Sequence, residues 1–363
     1  MKLYEIVKFL ENWANPKLAA SWDNVGLLVG NQDNQVSKIM LSLDVTPNAI
    51  YKAVKNGVDL IITHHPLIFK PLKKINDPRI LELIKNDIAV YTMHTNLDFV
   101  QDGVNKILAK KLLLQDLKLI PEKTGSDFYQ LSVYVPRETA ELLKAALGKA
   151  NIGTIGNYSE CMNYYNVQGQ FKPGKNSSPS KGKKNKLSHV EEVKIEFLAD
   201  DTNLQKAINI IKQEHPYETP VYTITKQVIN NPNYGLGYIG KMKKRTSLGK
   251  FAELIKNKLG KDTVKLWLAD KSIEDKIQKV AVCGGSGSSV INKIKNKVDV
   301  LVSSDFTYHT ILDSPLPLID AGHFHTEYPI IEIIKDRLNI NYPDLETITL
   351  TKEEHEINKL IYL

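Results

Sequence analysis

Apolar residues along the first 120 positions follow two alternating rhythms. Tyr4–Trp13 and Asn48–Lys55 carry them at helical spacing, whereas Lys38–Leu43, Val58–Thr63 and Asp87–Thr92 are short continuous runs suited to buried strands. This alternation predicts parallel strands joined by crossover helices. The rhythm changes near Phe128. Asp127–Val135 alternates like a half-buried strand, Arg137–Lys149 reads as a helix, Val190–Ala199 as a strand, Thr202–Glu214 as a helix and Thr219–Thr225 as a strand. Strand–helix–strand followed by helix–strand is the split βαβ, or ferredoxin-like, order. Asn230–Tyr234, with its Asn-Pro-Asn, reads as the hinge by which the chain leaves this segment, and from about Gly237 the first rhythm resumes. The expectation is an α/β protein with two intertwined, similar halves. They form one core domain from residues 1–124 and 233–363, with an inserted ferredoxin-like α+β domain at 125–232.

An internal repeat underlies the two halves. Lys38-Ile-Met-Leu-Ser leads through a turn and a helical stretch to Val58-Asp-Leu-Ile-Ile-Thr-His64-His65. Lys279-Val-Ala-Val-Cys leads in the same way, with one gap, to Val298-Asp-Val-Leu-Val-Ser-Ser304-Asp305. Each copy continues into another apolar strand that ends on a His-x-x-x-carboxylate, His94 with Asp98 and His323 with Glu327. Chance supplies one such pair easily, but two at matching repeat positions point to a common purpose. Both pairs are expected near a pseudo-twofold axis.

His64 and His65 add to this constellation. They follow an apolar strand and precede Pro66, and ligand sites in open α/β sheets lie beyond the carboxyl ends of strands. Neighbouring residues on an extended strand point to opposite faces. One metal ion takes both only through a sharp turn at Pro66, while two neighbouring ions take one each. Alone, the pair reads equally well as capping or core histidines. Beside the two His-x-x-x-carboxylate pairs, metal binding is the favoured reading. Imidazole and carboxylate ligands without thiolate suit zinc, iron, manganese or nickel.

Composition narrows the class. The chain has 363 residues, 42% hydrophobic and 25% charged, an ordinary globular balance that excludes disordered, collagen-like and fibrous readings. Runs such as Leu60–Ile62 and Val280–Cys283 fall far short of the roughly 20 apolar residues of a spanning helix. Charges such as Glu5 break the N-terminal apolar residues, unlike a signal peptide. Cys161 and Cys283 are too few for a disulfide framework or a cysteine metal cage, so a reducing, cytoplasmic setting is expected. The net charge of +7 is concentrated: six lysines and no acid lie between Lys172 and Ser188, among Gly, Pro, Ser and Asn. That composition predicts a flexible, solvated loop over 172–188 rather than a folded basic face. Nucleic acid and membrane are therefore not expected partners; a small-molecule substrate is the partner expected of the metal-ligand candidates.

Several motifs together carry a family resemblance. They are Ser21-Trp22-Asp23-Asn24-Val25-Gly26-Leu27-Leu28-Val29-Gly30, Leu43-Asp44-Val45-Thr46, Thr63-His64-His65-Pro66-Leu67-Ile68-Phe69, His94-Thr95-Asn96-Leu97-Asp98, Cys283-Gly284-Gly285-Ser286-Gly287, and Asp320-Ala321-Gly322-His323 with Glu327. The chain resembles the NGG-interacting-factor-three-like dinuclear metal proteins, many of which are known as GTP cyclohydrolase type 2 homologues. The insert, with His215-Pro216-Tyr217-Glu218, resembles the extra domain of the longer members, related to PII and CutA proteins. The resemblance implies one metal for each of His64 and His65. It implies Asp98 on the metal of His65, His323 on the metal of His64, Glu327 bridging both, and a toroidal homohexamer. Asp305 and His309 match a Gly-Asp-x-x-x-His element of the family, although Ser304 stands here in place of its Gly.

The implied activity is water attack on guanine C8 of GTP with release of formate, in which His94 or His309 would move protons. The alternatives are a metal-stabilised binding or regulatory protein without turnover, and a metal-dependent phosphoesterase or amidohydrolase acting on another small molecule. His94 is also the repeat mate of His323, and reads as an auxiliary ligand or a residue that supports the ligands. Gly284–Ser288 reads as a tight structural turn first and a phosphate contact second, because it lacks the Lys of a Walker loop. Trp22–Asn24 reads as a packed turn and His215 as a structural corner. His325 reads as a neighbour of the ligands, and His189 and His355 as exposed positions.

Overall fold

Strands buried on both faces need continuous apolar runs, and two such sets lie at the centre of the fold. The computed structural model describes residues 1–122, 127–228 and 231–355. The chain divides into two compact units, Met1–Glu122 with Tyr234–Leu363, and Lys123–Asn233.

In the first unit, Lys38–Ser42, Leu60–Thr63 and Ala89–Thr92 form a parallel trio whose outer edge pairs antiparallel with Gly26–Val29. The second half repeats the arrangement. Lys276–Ser286, Val300–Ser304 and Leu318–Asp320 are parallel, and Lys265–Trp267 closes the edge antiparallel. The halves then exchange their last elements. Glu346–Thr349, from the second half, pairs parallel with Lys38–Ser42, and Gln115–Pro121, from the first, pairs antiparallel with Gly235–Ser247 of the second sheet. Helices follow the same exchange. Pro329–Asn341 packs Ile330, Ile331, Ile334 and Leu338 beside Ile39, Leu60 and Tyr91 of the first sheet, while Leu108 and Leu112 join Val280 and Val302 of the second. The two halves are therefore intertwined.

Local rules place the helices. Leu3–Trp13 buries Leu3, Ile6, Val7 and Leu10, an i, i+3, i+4, i+7 stripe, each worth ~1.5–3 kcal/mol on burial. Pro47 and Pro78 stand in first turns capped by the side chains of Thr46 and Asp77. The helical stretch between the two strands of the second repeat copy is short. Ser288–Val290 is a 3-10 turn and the helix proper covers only Ile291–Ile294.

The second unit is built on one four-stranded antiparallel sheet. Its strand order is Met162–Phe171, Ser188–Asp200, Phe128–Pro136, Tyr222–Gln227, with helices Ala140–Lys149 and Asp201–Glu214. The sequence pattern omits Met162–Phe171. This strand lies at the sheet edge with most of its residues exposed, and its Asn, Gln and Gly carry no apolar rhythm. It supplies the second strand of the split βαβ order. The unit has its own core around Leu131, Val133, Leu143, Ile195, Phe197 and Ile211. The expected boundary at 124/125 and the first residue of the expected hinge, Asn230, lie outside the described residues. The rest of the hinge is tied down, since buried Asn231 donates to Asp200 at 3.1 Å and accepts from the Asn233 amide at 3.0 Å.

Candidate metal centre

All the ligand candidates follow the carboxyl ends of strands in the first unit. His64 and His65 come directly after Leu60–Thr63. His94 precedes the short helix Thr95–Phe99, which presents Asp98, and the helix His323–Glu327 carries both residues of the second pair. The exchange of elements between halves brings these ends together. The structure gathers His64, His65, Asp98, His323 and Glu327 into one cluster, with His94 at its side.

Glu327, only 4% exposed, is the centre of the cluster. One oxygen, Oε2, lies 2.9 Å from His65 Nε2 and 3.1 Å from His323 Nε2. The other, Oε1, lies 3.7 Å from His64 Nε2, which is also 3.7 Å from Asp98 Oδ1. That distance is too long for a hydrogen bond. His64 Nε2 and Asp98 Oδ1 are buried and have no hydrogen-bond partner among the described residues. Two orphaned polar atoms facing one another across such a gap are the expected signature of donors arranged around a cation. His64, His65 and Glu327 each bring one ligand atom within 4.8 Å of the others, a group able to hold a metal ion. The distances associate His64 with Asp98 and His65 with His323, the opposite of the partition implied by the family resemblance.

Each imidazole is fixed through its other nitrogen. His64 Nδ1 lies 2.8 Å from the Met93 carbonyl, His65 Nδ1 2.8 Å from Asp44, His94 Nδ1 2.8 Å from Asp23, and His323 Nδ1 2.5 Å from Asp305. Such partners set the ring orientation and increase the basicity of the inward nitrogen. The sequence reading gives Asp23 and Asp44 no role, although both lie in quoted motifs. The repeat offered a signal for Asp305, which occupies the position held by His65 in the first copy.

Gly285, at φ +58°, explains the glycine-rich turn. A Cβ there would stand 2.2 Å from Glu327 Oε1 and 3.1 Å from His323 Nε2, and one at Gly287 would stand 2.3 Å from Ser303 Oγ. The glycines allow backbone to approach the buried carboxylate closely, which is the structural reading of this turn. Other expectations change. Trp22 is exposed rather than packed, and beside it the Asp23 side chain is fully buried, holding His94 and the Thr95 amide. His355 is buried, not exposed; its Nδ1 lies 2.7 Å from the Thr351 carbonyl and its ring packs on Phe324. His309 is exposed on the helix Tyr308–Leu312 with its ring against Tyr308, and among the described residues no hydrogen bond, ion pair or ring contact joins it to the cluster. His325 packs on Phe324; burial, together with Lys261 and Lys352, lowers its pKa to about 4. In the second unit, His215 is a buried corner whose Nε2 lies 2.6 Å from the Tyr134 carbonyl.

The electrostatics of the cluster follow from burial and from the pairing of imidazoles with carboxylates. Burial alone would lower the pKa of His65, but hydrogen bonds to Asp44 and Glu327 raise it to about 10. His323 rises to about 9 against the same burial effect, through Glu327 and Asp305. Burial opposes the charge of Glu327, yet His64 and its other imidazole neighbours hold its pKa well below the usual range, while burial raises that of Asp98. A proton on an imidazole and a divalent ion would each answer the buried negative charge of Glu327. Metal ligation needs neutral imidazoles, so ions must displace these protons. Affinity for zinc is therefore expected to rise with pH from neutrality until His323 and His65 have titrated at about 9 and about 10. Calorimetry at pH 7 in buffers of different ionisation enthalpy should show net proton release. Binding without proton release would place the ions elsewhere.

Comparison with known proteins agrees with this fold. The family model described as Duf34/NIF3 (NGG1p interacting factor 3) matches residues 1–356. A Listeria innocua protein called GTP cyclohydrolase 1 type 2 homolog is 38% identical over 333 residues, covering 88% of each chain. A Staphylococcus aureus protein of the same name is 34% identical over 366 residues, covering 99% of this chain and 98% of that one. The crystal structure of a Bacillus cereus protein related to NIF3 superposes with a TM-score of 0.84 at 31% identity, covering 100% of this chain and 99% of that one. With a match across nearly its whole length, and relatives this similar end to end, the chain belongs to the Duf34/NIF3 family.

Proposed function

We propose that this chain is a dinuclear divalent-metal hydrolase whose ligands are His64, His65, Asp98, His323 and Glu327. The observation that carries this reading is the pair of buried, unpartnered atoms His64 Nε2 and Asp98 Oδ1, facing each other beside a carboxylate that offers its two oxygens to different imidazoles. The donor set is all nitrogen and oxygen, which fits zinc, iron, manganese or nickel. Two such ions, when bound, supply Lewis acidity and a water of lowered pKa. The name carried by the Listeria and Staphylococcus relatives, GTP cyclohydrolase 1 type 2 homolog, points to GTP as substrate, and the reaction we propose for it is opening of the guanine imidazole ring at C8 with release of formate.

The chain's own residues have distinct tasks in this reading. Glu327, His64 and Asp98 hold negative and neutral donors on the buried side of the site, while His65 and His323 stand on its more open side. Asp44 and Asp305 orient His65 and His323. His94, oriented by Asp23, lies with its ring centre 5.4 Å and 5.7 Å from those of His64 and His65. It is better placed than His309 to accept or deliver a proton at the substrate. A metal-supported regulatory protein is the second reading. It is favoured by a pocket of about 390 Å³ in the second unit, walled by Tyr134, Phe171 and Tyr217 with Glu192 and Glu218.

Elemental analysis is expected to give two divalent ions per chain, and Glu327→Ala should strip metal more completely than Asp98→Ala. With metal-replete protein, formate release from GTP should require divalent metal and fall to background in His65→Ala. A metal-replete wild type that releases no formate from GTP with zinc, iron, manganese or nickel ends the ring-opening reading and leaves the regulatory one.

The segment 125–232 is proposed as a PII/CutA-like insertion, and the assembly as a homohexamer. Joining Thr124 to Asn233 through a short Gly/Ser linker should leave a cooperatively folded body that keeps its metal; loss of both would make the segment integral to the core. Light scattering on the intact chain is expected to return a hexamer, and a monomer or dimer would remove that part of the proposal.

A further inference from the structure

Two aromatic side chains stand exposed beside the metal cluster, where exposure itself needs a reason. Trp22 is 60% exposed and Phe69 is 47% exposed. Their ring centres are 5.8 Å apart with planes inclined by 42°, and Trp22 stands edge-on to His94 at 6.1 Å. Aromatic side chains carry large apolar faces that normally gain by burial, so an adjoining exposed pair marks a contact surface.

The pair is also held in place. Asp23, next to Trp22, is fixed on His94 and on the Thr95 amide, and Asn24 donates to the Ile68 carbonyl at 2.5 Å, next to Phe69. Both rings therefore hang from backbone that is fastened to the cluster by buried or half-buried hydrogen bonds. Such preorganisation lowers the ordering cost of a stacking contact. Beyond Phe69 the chain continues through Lys70, Lys73 and Lys74, all exposed, so cationic charge adjoins the aromatic faces in sequence.

We infer that Trp22 and Phe69 form a stacking platform for a planar heterocyclic base, presenting a nucleotide-like substrate to the metal cluster, with its anionic part toward the lysine-bearing segment. The inference rests on the reading of the cluster as the reaction site, and it adds residues that decide which substrates are held there. Stacking is tolerant of base identity because every base offers a π-face. The platform thus selects planar rings as a class, and the distinction among bases falls to other groups.

Equilibrium binding tests the platform separately from the reaction. GTP, ATP and UTP serve as ring-bearing probes, and inorganic triphosphate as a probe of similar charge without a ring, all with zinc-loaded full-length protein. GTP is expected to quench tryptophan fluorescence, with the signal assigned to Trp22 because Trp13 and Trp267 are half-buried. Trp22→Ala should weaken GTP binding roughly tenfold to a hundredfold. Phe69→Ala should weaken it in the same direction, Trp22→Phe should restore most of it, and triphosphate binding and metal content should not move. The platform is overturned if GTP binds no better than triphosphate, or if both alanine variants bind all three nucleotides like wild type. It is also overturned if Trp22→Ala alters the molecular mass in solution without altering nucleotide affinity, which would assign the pair to a contact between copies of the chain. Nucleotide binding with the stacking signature but no formate release would leave the platform standing and remove the ring-opening reaction.

Discussion

A carboxylate buried to the degree of Glu327 is tolerated only when its charge is answered on every side, because an isolated charge in a low-dielectric interior costs far more than any one contact returns. The structure meets that requirement with imidazoles on both oxygens and with backbone glycine where any side chain would collide. Much of the surrounding architecture follows from it. Gly285 adopts a left-handed conformation to pass the carboxylate, Asp44 and Asp305 steady the histidines, and the strand ends of both halves converge on the same point.

Convergence of that kind is a topological result as much as a chemical one. A single open α/β sheet offers one row of carboxyl ends. Here two sheets each lend theirs, and the exchange of Gln115–Pro121 and Glu346–Thr349 ties the sheets to each other. The candidate ligands that follow the first-half strands and those on the helix His323–Glu327 are consequently fixed by one shared core rather than by two halves free to move apart. Phe324, on that same short helix, belongs to the cluster that also contains Leu3, Leu60 and Tyr91, so packing and the placement of His323 and Glu327 are set together.

The sequence discloses the parts of this design that repeat. Continuous apolar runs identify the central strands, and the matching His-x-x-x-carboxylate pairs identify the strand ends that matter. What escapes has a physical reason in each case. Met162–Phe171 is an exposed edge strand held by backbone hydrogen bonds, which leave no apolar signature. Asp23 and Asp44 act by orienting other side chains, and a carboxylate in a turn looks the same whether it faces water or an imidazole. His355 lies deep against Phe324 and Tyr328 because of long-range packing that no local window contains. Trp22 departs in the other direction: a tryptophan in a turn is expected to be covered, and this one is not.

The reciprocal exchange also governs the order in which the molecule is completed during synthesis. The strand that finishes the first sheet, Glu346–Thr349, and the helix Pro329–Asn341 that covers it belong to the last part of the described chain to leave the ribosome. Until they arrive, the edge of Lys38–Ser42 has no partner and Ile39, Leu60 and Tyr91 lack part of their cover. Contacts between such distant segments form late, after the loop between them has been closed. The second unit, whose strands and helices all lie between Phe128 and Gln227, contains every partner it needs well before that point. The nascent chain is therefore to be pictured as a finished middle flanked by an N-terminal sheet that waits, edge open, for its final strand.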